Sequence, residues 1–159
     1  LVRMIPRKGA VVAEITISDL EDVLEVRMAL EELAVKLACK MLTPEQIEEI
    51  GSLADEFEQT LYGEDVGACA QADMRFHEAI YEATGNGRLV QILNNLREQM
   101  YRYRMEYLKD RDAHQQLVQE HAEILKALAA GDVDRALEAS GRHIERQKEH
   151  IIGVLNAKE

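Results

Sequence analysis

The chain is poor in residues that interrupt helices. Its 159 residues include two prolines and no tryptophan, and most segments carry apolar residues at helical spacing. This combination predicts an all-α fold. Hydrophobic residues make up 47% of the chain. A chain of this length and composition can form one globular domain with a substantial core.

Long apolar runs are also absent. No stretch approaches the roughly 18 apolar residues of a membrane span, and the N-terminal residues lack the apolar region of a signal peptide. The two cysteines, Cys39 and Cys69, have no CxxC spacing. They are typical of small core residues in a reducing compartment rather than of a disulfide or a zinc site. We therefore expect a cytoplasmic protein that does not contact a membrane.

Charge is unevenly distributed along the chain. The net charge is −11, which makes the body of the protein a poor surface for nucleic acid, because phosphate binding requires clustered Lys and Arg. The N-terminal residues 1–13, in contrast, contain Arg3, Arg7 and Lys8 and no acid. Two short β-branched runs there flank Pro6 and Gly9, which predicts a β-hairpin with basic residues at its tip. Since a lone hairpin is marginally stable, we expect it to be the last part of another domain.

The remaining residues predict six helices joined by short loops, arranged as an antiparallel bundle. The expected N-terminal caps are Ser18, Thr43, Asn86 and Asp132, and Gly85 is expected to end the third helix. The first helix carries a second apolar row, which predicts that it packs on more than one side. The approximate ranges are 18–42, 43–61, 65–84, 87–108, 111–130 and 132–155.

Four side chains on three of these helices form a candidate metal site. Asp73 and His77 are four residues apart and share one helix face, and His121 and His143 lie among apolar residues on the inward faces of later helices. Carboxylate and imidazole suit Zn²⁺, Ni²⁺ or Mn²⁺. The ordinary alternatives are a solvated Asp–His pair and hydrogen-bonded core histidines. His114 and His150 lie about two helical turns, roughly 10 Å, from the site and should not join it.

Arginines supply candidate contacts for an anion. Arg27 falls on the packed side of the first helix, and a buried arginine requires a negative partner. That partner is either Glu31, four residues on, or the carboxylate of a ligand. Arg97 and Arg104, one heptad apart on the fourth helix, have the same two interpretations, although a solvated or interface face is favoured for both.

Three runs of sequence resemble a known family. PRKGAVVAEITISDLEDVLEVRMALEELAVKLA is similar to the wing of a winged-helix domain that continues into the first helix of an effector domain. DMRFHEAIYEATGNGRL is similar to a metal-binding helix and the turn after it, and EHAEILKALAAGDVDRALEASGRHI is similar to the last two helices. The family is the FadR-like (FCD) effector domain of GntR-type regulators. Six helices favour its VanR-like branch.

The resemblance implies a division of the chain and a set of site residues. Residues 1–14 would be a wing remnant with its linker, and residues 15–159 the effector domain. Asp73, His77, His121 and His143 correspond to metal ligands, for zinc foremost, with nickel or manganese as alternatives. Arg27 corresponds to an arginine that contacts the effector, and we place Arg104 beside it.

The resemblance also implies a function. We expect a homodimeric sensor of a small organic acid that is not an enzyme and that contacts DNA only through a winged-helix domain absent from this chain. A helical-bundle metalloenzyme acting on a small carboxylate is the alternative, with Glu78 or Glu120 as candidate bases. A helical interaction module without a site is the third possibility.

Overall fold

A bundle of six α-helices forms the body of the protein in the computed structural model, which describes residues 2–5, 9–12 and 17–156. This confirms the all-α prediction. A 3₁₀ turn, Arg111–Ala113, precedes the fifth helix. The helices are α1 (Ile17–Met41), α2 (Pro44–Thr60), α3 (Val66–Glu82), α4 (Gly87–Leu108), α5 (His114–Ala129) and α6 (Val133–Asn156).

Two short strands precede the bundle. β1 (Val2–Ile5) and β2 (Gly9–Val12) are antiparallel, with Val2 opposite Val12. The expected hairpin is therefore present. Its basic tip residues, Arg7 and Lys8, lie outside the described residues. The assignment of residues 1–14 to a wing remains a prediction.

Side-chain caps begin three of the helices where the sequence predicts them. Thr43 and Gln46 form a reciprocal capping box at α2. The Asn86 side chain accepts a hydrogen bond from the Leu89 N–H, 3.2 Å away, at the start of α4. Asp132 accepts one from the backbone N–H at position 135, also at 3.2 Å. Each bond satisfies an N–H group that has no partner within its own helix.

Two glycines follow the ends of helices, and one of them, Gly85, is the helix end that the sequence predicts. Gly85 follows α3 with φ 64° and Gly131 follows α5 with φ 62°. This left-handed backbone is readily adopted only by glycine, and it lets the chain reverse into the next helix. One expected cap is wrong: α1 begins at Ile17, so Ser18 lies inside its first turn. Helix ends fray, and a capping pattern locates them only to within a residue or two.

The central core draws on all six helices. α1 packs against α6 and α4, α2 against α3 and α5, and α3 against α4. The second apolar row of α1 is only partly buried, because Val26 and Leu33 are 51% and 42% exposed. The prediction that α1 packs on more than one side is therefore confirmed only in part, because Leu30 and Leu37 of this row pack against the core. Core residues from the six helices in order include Ala34, Ile50, Phe76, Leu89, Ile124 and Ala136.

Helix length and apolar content bear on membrane association. Among the described residues, no helix is both long enough and apolar enough to cross a bilayer.

Candidate metal and effector site

The four predicted metal ligands meet in the interior of the bundle. Asp73 and His77 come from α3, His121 from α5 and His143 from α6, and all four are buried. One ligand atom from each lies within 4.8 Å of the others. The packing of the bundle thus brings together residues as far as 70 positions apart in sequence.

The distances between these atoms suit a single ion. Asp73 Oδ1 lies 3.3 Å from Nε2 of His121 and 3.7 Å from Nε2 of His77. The Nε2 atoms of His77 and His143 are 3.2 Å apart. Two ligands about 2.1 Å from one tetrahedral ion are separated by about 3.4 Å. The four side chains therefore need only small movements to surround an ion.

His121 provides a second observation that fits a metal ligand. Its ring stacks on Phe76, with centroids 4.1 Å apart, and lies 4.7 Å from the ring of Phe57. Neither of its ring nitrogens makes a hydrogen bond of good geometry, although the residue is buried and Nε2 lies 3.3 Å from Asp73 Oδ1. Buried polar atoms nearly always have a partner. Coordination of an ion by Nε2 would satisfy this nitrogen.

Glu120 fixes the orientation of His143. The carboxylate lies 2.7 Å from Nδ1 of His143 and also accepts a hydrogen bond from Arg146. Burial raises the pKa of Glu120, but the hydrogen bonds from His143 and Arg146 have the larger effect, so the pKa lies below its ordinary value. An ionised carboxylate only accepts, so the Nδ1 of His143 carries the proton and Nε2 is left unprotonated, as a metal ligand must be. Sequence reasoning considered Glu120 only as a base, since its one local signal is adjacency to His121.

The three histidines are held in the neutral form that binds metal. Burial lowers the pKa of His77 and of His121 well below its ordinary value. Burial likewise lowers the pKa of His143 to about 4, even though Glu120 opposes this shift. Neutral imidazole is the state required of a ligand.

Arg27 is fully buried, and its nearest partner is Glu31. Its Nε donates to Glu31 over 2.6 Å and its Nη1 to Gln147 over 3.0 Å, whereas Nη2 has no partner. Burial raises the pKa of Glu31, but the nearby Arg27 is the largest of several groups that lower it to about 2. The intramolecular ion pair is thus present, with one guanidinium nitrogen still unsatisfied.

Arg97 and Arg104 are buried too, 3% and 5% exposed. Arg104 contacts the second carboxylate oxygen of Asp73, and Arg97 lies over the ring of Tyr81 with its Cζ 5.5 Å from the centroid. The prediction of a solvated face is therefore wrong. α4 packs against α1, α3 and α6, and these neighbours enclose both guanidiniums.

A narrow, partly open cavity adjoins this cluster between α1, α4 and α6. Gln147 connects it to the histidines, because its amide Nε2 lies 3.0 Å from Nε2 of His143 while its oxygen accepts from Arg27. The lining residues are Arg27, Met100, Arg104, Tyr107, Gln147 and Ile151.

The other two histidines lie elsewhere, as expected. Nε2 of His114 is 2.8 Å from the carbonyl oxygen of Leu108. His150 packs on the ring of Tyr107, and its Nδ1 lies 3.6 Å from Asp110. Neither belongs to the cluster of four.

Comparison with known proteins defines the class of this domain. Residues 22–146 match the FCD domain family, and the chain therefore belongs to that family. It is 34% identical over 127 residues to a protein of Escherichia coli (strain K12) named as a regulator of the L-lactate dehydrogenase operon. That alignment covers 77% of this chain and 48% of the relative.

A second curated relative agrees with this assignment. The Uxu operon transcriptional regulator of Escherichia coli (strain K12) is 29% identical over 140 residues, 85% of this chain and 54% of that protein. The chain thus spans about half the length of the curated relatives it matches. These relatives are transcriptional regulators and not enzymes.

The solved structures are similar in fold. The structure of E. coli McbR/YncC superposes with a TM-score of 0.87 at 19% identity, over 97% of this chain and 74% of that one. A GntR family member from Pseudomonas syringae pv. tomato gives a TM-score of 0.72 at 23% identity, over 99% of this chain and 66% of that one. At these identities the likeness shows a shared fold.

Proposed function

We propose that this chain is the ligand-sensing domain of a GntR-type transcriptional regulator, and that it binds a small organic acid beside a divalent metal ion. The ion is held by Asp73, His77, His121 and His143, with zinc foremost and nickel or manganese as alternatives. The observation that carries the proposal is the convergence of these four buried side chains next to an arginine-lined cavity. When bound, an ion that expands beyond these four ligands to five or six would offer a coordination position to a carboxylate oxygen.

Different residues would bind the ion and the acid. The histidines and Asp73 fix the ion, and Glu120 orients His143. Arg27 and Arg104 line the cavity and present guanidinium groups to the rest of the acid. Charge-assisted bonds of this kind give both affinity and orientation.

Signal transmission and assembly are further parts of the proposal. Binding would shift the balance between arrangements of α1, α4 and α6, the helices that enclose the cavity. We propose that the domain acts as a homodimer in the cytoplasm and passes this change to a winged-helix domain that contacts DNA. The regulatory relatives support this view.

A metalloenzyme is the less favoured function. Both carboxylate oxygens of Glu120 are engaged, by His143 and Arg146, whereas Glu78 binds Asn94 through one oxygen, and the curated relatives are transcriptional regulators. A general base needs a free lone pair directed at its substrate.

Calorimetry of the metal-loaded and metal-free chain with small carboxylic acids, L-lactate among them, tests the proposal. We expect at least one acid to bind only the metal-loaded form. Arg27→Met combined with Glu31→Gln, which removes both charges of the buried pair, should weaken that binding about 30- to 1000-fold with unchanged metal content. Arg102→Met, an exposed site on α4, is the control. If no acid binds either form, the proposal is wrong.

A further inference from the structure

Arg97 has no role in the site described so far, yet it is buried and incompletely paired. Its Nε and Nη2 atoms have no hydrogen-bond partner, and its Nη1 reaches Asn94 only at 3.5 Å. Burial lowers the pKa of Arg97, and four flanking groups, Tyr81, Glu31, Arg27 and Glu78, act on its charge. A buried guanidinium with two unsatisfied nitrogens costs free energy unless an anion meets it.

The balance of buried charges also favours an anion beside Arg97. Three guanidiniums, those of Arg27, Arg97 and Arg104, are buried here. The buried carboxylates that face them belong to Glu31 and Asp73. A divalent ion on neutral imidazoles would add two positive charges, and Glu120 does not offset them because Arg146 neutralises it. The loaded site would then carry three more positive than negative charges among these buried groups, or two more if the half-buried Glu78 beside Arg97 is counted.

A monocarboxylate would leave at least one of these positive charges uncompensated. Glu31 already pairs with Nε of Arg27, and Asp73 would be shared between the ion and Arg104. Neither carboxylate is therefore available to Arg97. Arg97 lies one heptad before Arg104 on α4, on the same helix face and about 10 Å along the axis. Long arginine side chains from these two positions can reach opposite ends of one short ligand.

We propose that the ligand of this domain carries two anionic groups separated by a short carbon chain, and that Arg97 binds the second group. This inference rests on the proposed function. The first group would lie at the ion with Arg27 and Arg104, and the second would satisfy the free nitrogens of Arg97. The specificity for a dianion then comes from a residue outside the cavity lining.

Matched pairs of ligands test this directly. The metal-loaded chain is titrated with the C3 to C6 linear dicarboxylates and with the monoamide of each, which keeps the shape and removes one charge. At least one dicarboxylate should bind about 30-fold or more tightly than its monoamide. Arg97→Met should abolish this preference by weakening the binding of the dicarboxylate and not that of its monoamide. Arg102→Met, an exposed arginine on the same helix, should retain it.

The stability of the ligand-free protein gives an independent readout. Arg97→Met removes an incompletely paired buried charge, so the melting temperature of the ligand-free chain should stay equal or rise, while the shift caused by the dicarboxylate shrinks. A merely structural arginine would lower the melting temperature when removed, and that result would overturn the inference.

Failure of this inference can be told apart from failure of the proposed function. If a monoamide binds the metal-loaded chain as tightly as its dicarboxylate, the ligand is not a dianion, and the sensor of a small acid stands. If Arg97→Met binds the dicarboxylate like the parent, Arg97 is not the anchor. If no acid binds with or without metal, both the proposed function and this inference are wrong.

Discussion

Glu120 binds the Nδ1 of His143 at 2.7 Å, on the side of the imidazole opposite the atom that faces the metal cluster. This contact connects α5 to α6 and determines which ring nitrogen carries the proton. The residue next to it, His121, is itself one of the four candidate ligands. Two adjacent residues on α5 thus supply one ligand and orient another.

Replacing Glu120 with glutamine should weaken metal binding although all four ligands remain. The variant loses the charge that stabilises the Nδ1–H tautomer, and such outer contacts are typically worth 10- to 100-fold, or about 1–3 kcal/mol, in metal affinity. Competition against a chromophoric chelator measures the change. Glu123→Gln, an exposed glutamate on the same helix that pairs with Arg142, is the matched control. Equal metal affinities of the Glu120→Gln and Glu123→Gln variants would show that Glu120 does not support the metal site.

Arg27 should contribute strongly to stability as well as to binding. Arg27→Met leaves the Glu31 carboxylate buried without its ion-pair partner, and breaking a buried pair in this way costs about 3–5 kcal/mol. Adding Glu31→Gln should recover most of the loss. Urea denaturation of the metal-free chain measures both variants. A loss of stability below about 1 kcal/mol for Arg27→Met would show that Arg27 and Glu31 are not each other's principal partners.

The metal-free protein should lose stability as the pH falls below about 6.5. Unfolded histidine titrates near pH ~6.5, whereas burial lowers the pKa of His143 to about 4 and lowers those of His77 and His121 as well. Between these values the unfolded chain binds protons that the folded chain does not, so stability decreases with decreasing pH.

His143 alone should account for about 2 kcal/mol of this loss between pH 7 and pH 5. Chemical denaturation at the two pH values provides the measurement, with His114→Gln as a control for a histidine outside the cluster. Stability that is the same at pH 7 and pH 5 would contradict the neutral, buried state of the three imidazoles.

The fold could be predicted because its determinants are local. Thr43, Asn86 and Asp132 act within one helical turn of their own positions, and Gly85 needs only its own backbone angle. The burial of the second apolar row of α1 was harder to predict, because it depends on which elements pack against Val26 and Leu33.

The site could be predicted only in part. Asp73 and His77 share a face by simple helical geometry, and apolar neighbours indicate the inward direction of the other two histidines. The role of Glu120 depends on a contact with His143, 23 residues away, across two helices. The burial of Arg97 and Arg104 could not be expected from their type, since arginine is rarely buried. Only the packing around α4 determines it.

Elemental analysis of the purified chain tests the central claim most directly, provided that the protein has met neither a chelator nor a metal-affinity column. We expect about one divalent ion per chain, unchanged in His114→Ala and His150→Ala and lost in Asp73→Ala and His143→Ala, because the remaining ligands cannot complete the shell. The absence of metal from the parent chain, together with an unchanged melting temperature after addition of Zn²⁺ or Ni²⁺, would contradict the metal site.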